Sequence, residues 1–201
     1  MKGTKVKLKS YHTEGKLEAG VDEVGRGCLA GPVVASAVIL PPDFDYDIVK
    51  DSKKLSEKKR KEAYELIKEH ALDYSIEFVG PDFIDENNIL EATMYAMRKS
   101  LNKLLTRPEH ILVDGNYFTG YETIPHTCVV KGDNEFYSIA AASILAKVTR
   151  DEYMKEAHRD YPNYKWDSNK GYGSKVHRDA IVEHGKTPLH RVSFLKNILQ
   201  S

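Results

Sequence analysis

Cysteine is scarce in this sequence, and long apolar runs are missing. The 201 residues contain only two cysteines, Cys28 and Cys128, too few for the disulfide framework of a small secreted domain. A reducing, cytoplasmic location is therefore expected, and the sequence leaves open whether the two thiols pair. The longest apolar run, residues 33–40, is broken by Ser36 and is far shorter than the roughly 20 residues of a membrane-spanning helix. Residues 1–10 alternate lysine with small side chains and lack an apolar segment, so we expect no secretory signal.

The formal net charge is zero, but basic and acidic residues are not evenly distributed along the chain. Lysine and arginine together number 30, as do aspartate and glutamate. Residues 160–201 hold seven basic and four acidic side chains, so this segment carries +3 and the rest of the chain −3. A basic end on an acidic body is typical of a surface that follows phosphates beside a cation-binding centre. A difference this small is equally expected by chance.

Three common catalytic patterns are absent from the sequence. No Gly-rich loop is followed by Lys and Ser or Thr, which argues against a P-loop nucleotide hydrolase. No group of Cys and His has the spacing of zinc ligands. No order of Ser, His and Asp suggests a catalytic triad.

Apolar periodicity predicts an α/β protein in which several strands come first and helices and strands then alternate. The predicted strands are residues 18–24, 32–40, 72–79, 110–113 and 124–130, and the predicted helices are residues 57–70, 86–105, 137–158 and 175–184. The strand at 72–79 alternates strictly, with Asp73, Ser75 and Glu77 on its polar face, which predicts a half-exposed antiparallel strand near a sheet edge. We expect a mixed β-sheet flanked by helices.

Three regions follow from this pattern. Residues 1–17 form a loose basic arm, residues 18–159 the sheet-and-helix core, and residues 160–201 a small helical subdomain.

Four carboxylates stand at the ends of three predicted strands. Asp22 and Glu23 close the first strand, where two glycines would end it, and adjacent residues of a continuing strand would point to opposite faces. Asp114 and Asp133 each come just after a later apolar strand, where α/β sheets usually place ligands. Taken singly, each is also explained by an acidic strand end, an Asp-Gly turn or a helix N-cap.

Taken together, the four carboxylates indicate a metal centre. Like charges gathered in one place need cations to be stable, and hard cations such as Mg²⁺ and Mn²⁺ prefer oxygen ligands. Two such ions suit in-line hydrolysis of a phosphodiester, because one generates the attacking hydroxide and the other stabilises the leaving 3′ oxygen.

Several short motifs also occur in an order that resembles a known family. They are GVDEVGRG at 20–27, AGP at 30–32, DSKKLS at 51–56, VDGN at 113–116, KGD at 131–133, AASILAKVTRD at 141–151, KGYG at 170–173 and HRVSF at 190–194. This sequence resembles ribonuclease HII, the type 2 ribonuclease H, from about residue 18 to residue 194. The resemblance implies an RNase H-like core and a C-terminal helical subdomain that binds the substrate.

The resemblance assigns the catalytic and metal-binding roles to Asp22, Glu23, Asp114 and Asp133, with two Mg²⁺ or Mn²⁺ ions. Asp151 also lies in a motif, but it follows Lys147 by four residues on a predicted helix, where a salt bridge is the simpler explanation.

Substrate contacts are implied in the same way. Gly25, Arg26 and Gly27 would present backbone amides to the nucleic acid, and with Tyr172 they would read the 2′-hydroxyl that distinguishes RNA from DNA. Candidates for phosphate contacts are Lys53, Ser143 and Lys147. Without the motifs, the ordinary alternatives are a packed tyrosine, a solvated basic helix face and a small-residue packing surface. Asn169 replaces the histidine that many family members have before Lys-Gly-Tyr, which affects only a peripheral contact.

The expected activity is endonucleolytic cleavage of RNA in RNA–DNA hybrids, and on the 5′ side of ribonucleotides embedded in duplex DNA. The products would carry 5′-phosphate and 3′-hydroxyl ends, and the enzyme would be a monomer. Ribonuclease HIII shares the acidic pattern, but it usually carries an N-terminal substrate-binding domain and lacks the arginine found here at Arg26. A non-catalytic nucleic-acid-binding module is the other alternative, and the four intact carboxylates argue against it.

Overall fold

A mixed five-stranded sheet forms the centre of the structure, a computed structural model that describes residues 7–50, 52 and 55–199. The strands are β1 (Glu18–Val24), β2 (Val33–Ile39), β3 (Asp73–Val79), β4 (His110–Asp114) and β5 (His126–Val129). Their order is β3-β2-β1-β4-β5. Strands β1, β2 and β3 pair antiparallel, whereas β1, β4 and β5 pair parallel. The predicted mixed sheet is confirmed. Lys53, a predicted phosphate contact, lies outside the described residues.

Helices cover both faces of this sheet. The helices that cover it are α1 (Glu57–His70), α2 (Pro81–Lys103) and α3 (Tyr137–Asp160), and three more follow in the C-terminal segment, α4 (Trp166–Asn169), α5 (Lys175–His184) and α6 (Lys196–Leu199). On one face α2 packs its buried Met94, Met97 and Leu101 against β1, β2 and β4. On the other face lie α1 and α3. No helix within the described part of the chain is long and apolar enough to cross a membrane.

Helix α3 lies directly on the central strand β1. A Cβ atom on Gly20 would come within 2.2 Å of the backbone carbonyl carbon of Ser138, so only glycine allows this close approach. The contact fixes α3 over the half of β1 that leads to Asp22. Because side chains alternate along a strand, Asp22 points to the same face as Gly20, toward α3.

Two predictions about the edge of the sheet have different outcomes. Strand β3 is an antiparallel edge strand, as predicted. Its polar face was predicted to be exposed, and this is wrong because α2 packs over it. Ser75 is buried and donates a hydrogen bond to the carbonyl oxygen of Ser100 at 2.5 Å. Phe78, on the apolar face, is instead exposed.

The start of α2 also differs from the prediction. The helix begins at Pro81 rather than at residue 86, and its first turns are separated from the rest by Asn88, whose φ is 70°. The Asn88 side-chain oxygen accepts hydrogen bonds from the amides of Leu90 and Glu91. Asn88 therefore caps a second helical segment, which the apolar periodicity had located approximately.

The N-terminal arm is not loose where it is described. The Lys9 amide donates to the carbonyl of Glu135 at 2.8 Å, and the Tyr137 amide donates to the carbonyl of Lys9 at 3.0 Å. The carboxylate of Glu18 accepts from the amides of His12 and Thr13. The prediction of a loose arm is therefore wrong for residues 7–17, because these backbone hydrogen bonds tie it to the core; residues 1–6 lie outside the described part.

Residues beyond α3 are helical, as predicted, and pack around a buried tryptophan. Trp166 belongs to a buried apolar cluster with side chains of α3, α5 and the C-terminal turn, among them Met154, Ile181 and Leu195. Two isolated backbone bridges, Cys28 to Tyr172 and Ala30 to His190, join this cluster to the loop between β1 and β2. The boundary near residue 160 stays a prediction.

Candidate active site

The predicted carboxylates lie where three parallel strands end. In the register of the sheet Val21 pairs with Val113, and Val113 pairs with Cys128. Asp22 and Asp114 are therefore neighbours, one step further along β1 and β4. Asp133 lies in a 3-10 turn, Gly132–Asn134, soon after β5 ends at Val129. The carboxyl ends of parallel strands share one sheet edge, the usual ligand position in α/β proteins.

Asp22 is buried between the sheet and α3. Its Oδ1 accepts a hydrogen bond from the Glu23 amide at 2.7 Å. Burial, and after it the charges of Glu23 and Asp114, raise the pKa of Asp22 well above its ordinary value, while a hydrogen bond from Ser143 acts in the opposite direction. These influences place three carboxylates within electrostatic reach of one another.

Glu23 is partly held by the neighbouring loop. Arg26 Nη1 donates to Glu23 Oε1 at 3.3 Å. Burial raises the pKa of Glu23, Arg26 lowers it, and the charge of Asp114 raises it again. The arginine of the Gly-Arg-Gly loop thus offsets part of the negative charge at this edge.

Asp114 and the segment that carries Asp133 are joined by one backbone contact. The Gly132 amide donates to Asp114 Oδ1 at 2.7 Å. Asp133 is buried, and its Oδ1 accepts from the side-chain amide of Asn134 at 2.8 Å. The hydrogen bond from Gly132 fixes the turn against the end of β4, so Asp133 lies at the same edge as Asp114.

The residues present fit divalent cations in their chemistry and their location. All four are carboxylates, the oxygen donors that Mg²⁺ and Mn²⁺ prefer. The charges of Glu23 and Asp114 raise the pKa of Asp22, and the charge of Asp114 also raises the pKa of Glu23. Among the described residues, no three His, Cys, Asp or Glu side chains already converge as a ligand set. Each of the four carboxylates accepts a hydrogen bond from a nearby donor.

Asp151 has the structural role that its spacing predicted. Lys147 Nζ lies 2.7 Å from Asp151 Oδ1 on the same face of α3. Arg60 Nη1, from α1, lies 4.0 Å from Asp151 Oδ2. The carboxylate therefore joins two helices by ion pairs, away from the ends of the strands.

The structure brings Tyr172 to the Gly25–Gly27 loop and to Lys147. Gly25 has a φ of 94°, and a Cβ there would come within 2.2 Å of Arg150 Nε, so this turn requires glycine. Tyr172 is 42% exposed. Lys147 Nζ and Arg150 Cζ lie 6.0 and 5.9 Å from the centre of its ring. The ring thus presents a partly open surface with basic groups beside it.

Two buried arginines hold these loops in place, and the sequence did not reveal this role. Arg150 donates to the carbonyl oxygens of Pro32 and Lys170 at 2.9 and 2.8 Å. Arg191 donates to the carbonyl of Arg26 at 2.8 Å. Both arginines belong to motifs noted above, but a sequence motif does not show whether a side chain faces the core or the solvent.

The remaining predicted substrate contacts in the described residues, Ser143 and Lys147, lie along α3. Ser143 is buried, and its hydroxyl lies 3.1 Å from the hydroxyl of Ser52. Ser143 and Lys147 are one helical turn apart, so the structure places them on the face of α3 that leads to Asp22.

The sequence left open whether Cys28 and Cys128 form a pair. Both cysteines are free in the structure, and there is no disulfide between them.

Comparison with known proteins decides the family. The family model for ribonuclease HII matches residues 19–197. The chain belongs to the ribonuclease HII family. A ribonuclease HII of Bacteroides thetaiotaomicron is 53% identical over 187 residues, which cover 93% of this chain and 94% of the relative. Family membership identifies this chain as a hydrolase that cuts RNA, which argues against the non-catalytic alternative.

Solved structures confirm the RNase H-like fold. The ribonuclease H2 of Pyrococcus horikoshii OT3 superposes with a TM-score of 0.75 at 26% identity, over 91% of this chain and 97% of that one. Bst-RNase HIII in complex with Mn²⁺ gives a TM-score of 0.75 at 21% identity, over 94% of this chain and 71% of that one. At this lower identity the likeness concerns the fold alone, and the family match favours ribonuclease HII over ribonuclease HIII.

Proposed function

We propose that this enzyme cuts RNA–DNA hybrids, and duplex DNA on the 5′ side of an embedded ribonucleotide, at the sheet edge formed by Asp22, Glu23, Asp114 and Asp133. The observation that carries the proposal is that Asp22, Glu23 and Asp114 gather at the ends of the adjacent parallel strands β1 and β4, where the charges of Glu23 and Asp114 raise the pKa of Asp22. Clustered carboxylates repel the phosphate backbone of a nucleic acid, so they do not strengthen its binding. Cation-assisted chemistry explains why they are gathered here.

The four carboxylates would hold two divalent ions, Mg²⁺ or Mn²⁺. When bound, such ions activate water for attack on phosphorus and stabilise the leaving 3′ oxygen. Burial of Asp22 and Asp133 keeps solvent from competing at these oxygens. The hydrogen bond from Gly132 to Asp114 orients one ligand relative to the turn that carries another.

Substrate would lie across α3 and the Gly-Arg-Gly loop. The Lys147 ammonium, the Ser143 hydroxyl and the exposed Arg26 would contact phosphates of the strand that is cut. Tyr172, supported by Arg150, would contact the ribose before the scissile bond. This assigns phosphate binding to α3 and recognition of the 2′-hydroxyl to the two loops.

The enzyme would act as a monomer in the cytoplasm, on hybrids and on ribonucleotides in DNA. Two free cysteines are consistent with a reducing compartment. The positive C-terminal segment, where Lys170 and Lys175 lie, would follow the phosphate backbone on the side of the site away from the carboxylates.

The first test is the identity of the products. A DNA duplex with one ribonucleotide is incubated with the enzyme and Mg²⁺ or Mn²⁺, and both fragment ends are analysed. We expect a cut on the 5′ side of the ribonucleotide, a 5′-phosphate on one product and a 3′-hydroxyl on the other, and full loss of cleavage with a chelator. Cleavage that persists with the chelator, or a 2′,3′-cyclic phosphate, would contradict the proposed chemistry.

A second test addresses Tyr172. Tyr172→Phe removes a hydroxyl, worth on the order of 1 kcal/mol, whereas Tyr172→Ala also removes a stacking surface worth about 1–3 kcal/mol. We expect Ala to reduce kcat/KM more than Phe, and to reduce it more for a single embedded ribonucleotide than for a continuous hybrid. An equal loss on both substrates would mean that the tyrosine only supports the fold.

A further inference from the structure

Arg60 differs from the other basic residues at the start of α1. Lys58 and Lys59 are exposed, whereas the side chain of Arg60 is only 14% exposed and turns back toward the preceding segment. Its Nε donates to the carbonyl oxygen of Ser52 at 2.8 Å, and its Nη2 donates to the carbonyl oxygen of Leu55 at 2.9 Å. One guanidinium therefore holds the carbonyl groups of Ser52 and Leu55, the two ends of a turn before α1 in which the Leu55 amide donates to the Ser52 carbonyl oxygen.

The same turn is connected to the catalytic edge. The Ser52 hydroxyl lies 3.1 Å from the hydroxyl of Ser143, on α3. Ser143 in turn contributes a hydrogen bond to Asp22. A displacement of the turn would therefore change the surroundings of Ser143 and reach the predicted phosphate-binding face of α3.

Arg60 also acts on that face by a second route. Its third nitrogen, Nη1, lies 4.0 Å from Asp151, whose other oxygen lies 2.7 Å from the ammonium of Lys147. The carboxylate is shared between the two cations, so Arg60 limits where Asp151 can hold Lys147. Both routes lead to Ser143 and Lys147 and not to the substrate itself.

We propose that Arg60 is a positioning residue for substrate binding, which fixes the Ser52–Leu55 turn and the Asp151–Lys147 pair against α3. The inference rests on the proposed function, because it takes this face as the phosphate-binding surface. Arginine suits the task because its planar guanidinium presents N–H groups in fixed directions to separate acceptors. Lysine keeps the charge but offers a single ammonium, which cannot reproduce this fork.

The kinetic arm of the test compares Arg60→Lys and Arg60→Gln with the wild type on a duplex that contains one ribonucleotide. We expect KM to rise about tenfold for Gln, which corresponds to ~1.4 kcal/mol, and to rise less for Lys. The kcat at saturating substrate should change little, since the carboxylates at the strand ends remain in place. Arg159→Gln is the matched control, because Arg159 is an exposed arginine on the last turn of α3, paired with Glu156.

The structural arm needs no substrate. Amide hydrogen exchange of peptides that cover residues 52–56 is measured in the wild type and in each variant. We expect faster exchange in both Arg60 variants, because two hydrogen bonds that hold this turn are lost, and unchanged exchange in Arg159→Gln.

Support for the proposal requires faster exchange together with a raised KM. Unchanged exchange, or faster exchange with an unchanged KM, would overturn it, and so would a loss confined to kcat. A failure of the proposed function is seen separately, as absence of metal-dependent cleavage by the wild type, or as a KM that does not respond to Lys147→Ala.

Discussion

Acidic residues of the same type have different roles here because their surroundings differ. Asp22 is buried beside two other carboxylates, and its pKa is raised, so its charge is costly unless a cation is bound. Asp151 lies between Lys147 and Arg60, where its charge is already compensated. Sequence position alone gives both residues a place in a motif, and only their surroundings distinguish the proposed metal ligand Asp22 from the salt-bridged Asp151.

This contrast yields a prediction for Asp133 and Asp151. Asp133→Asn should reduce kcat by more than the ~100-fold that loss of an outer-shell partner typically costs, with partial recovery in Mn²⁺. Asp151→Asn should retain kcat and lower the free energy of unfolding by about 1 kcal/mol, because it breaks an ion pair that is largely shielded from water. Steady-state kinetics and thermal unfolding of both variants decide the matter. A loss of kcat confined to Asp151→Asn would show that the assignment of the fourth carboxylate to Asp133 is wrong.

The sequence predicts which residues form the site better than it predicts how they are held. Asp22 is recognisable at the end of an apolar strand, and Asp114 and Asp133 just after later ones; the register confirms that Asp22 and Asp114 are neighbours. The inward direction of Arg150 and Arg60 could not be predicted, because a charged side chain is buried only when carbonyl oxygens from distant segments surround it.

At the scale of elements, periodicity located helices and strands well but misjudged what covers them. Helix α5 and the first turn of α3 begin where the pattern predicts. The polar face of β3 is covered by α2, and Ser75 is satisfied there by a hydrogen bond to the backbone of that helix. The alternation of polar and apolar residues shows which face of a strand is polar, but not whether that face is exposed. A polar face can be buried when its polar groups form hydrogen bonds.

The C-terminal helices depend on a buried histidine pair. Trp166 Nε1 donates to His177 Nε2 at 3.0 Å, so the proton of His177 is on Nδ1, which donates to the carbonyl of Tyr172. His190 Nδ1 accepts from the Thr187 amide, and its Nε2 lies 3.1 Å from His177 Nε2. Both rings are neutral in this arrangement, and their network reaches the backbone of Tyr172.

A pH dependence of stability follows from this pair. Burial, and after it the nearby His177, lowers the pKa of His190 to about 4 from 6.5. The folded state therefore binds its proton later than the unfolded state, so the stabilisation is complete above pH 6.5 and is lost as the pH falls toward 4. The melting temperature should fall across this window in the wild type and fall less in His190→Gln. Parallel slopes for the two proteins would contradict the assignment.

At the scale of the whole molecule, the C-terminal cluster and the catalytic sheet meet at one loop. The backbone bridges from Cys28 to Tyr172 and from Ala30 to His190 join them. The C-terminal segment, which carries the excess positive charge, therefore contacts the loop that follows β1, the strand of Asp22 and Glu23. The sequence indicated both parts, but contacts between residues this far apart in the chain are decided by packing, which a linear pattern does not contain.

The most direct test of the central claim is cleavage by variants that lack one strand-end carboxylate. Wild type, Asp22→Asn and Asp114→Asn are compared in Mg²⁺ on a duplex with one ribonucleotide, and binding to the same duplex is measured in parallel. Loss of a metal ligand should reduce turnover by several orders of magnitude, whereas removal of a negative charge near phosphates should leave binding equal or tighter. Unchanged turnover in either variant would contradict the assignment of the catalytic centre to this edge of the sheet.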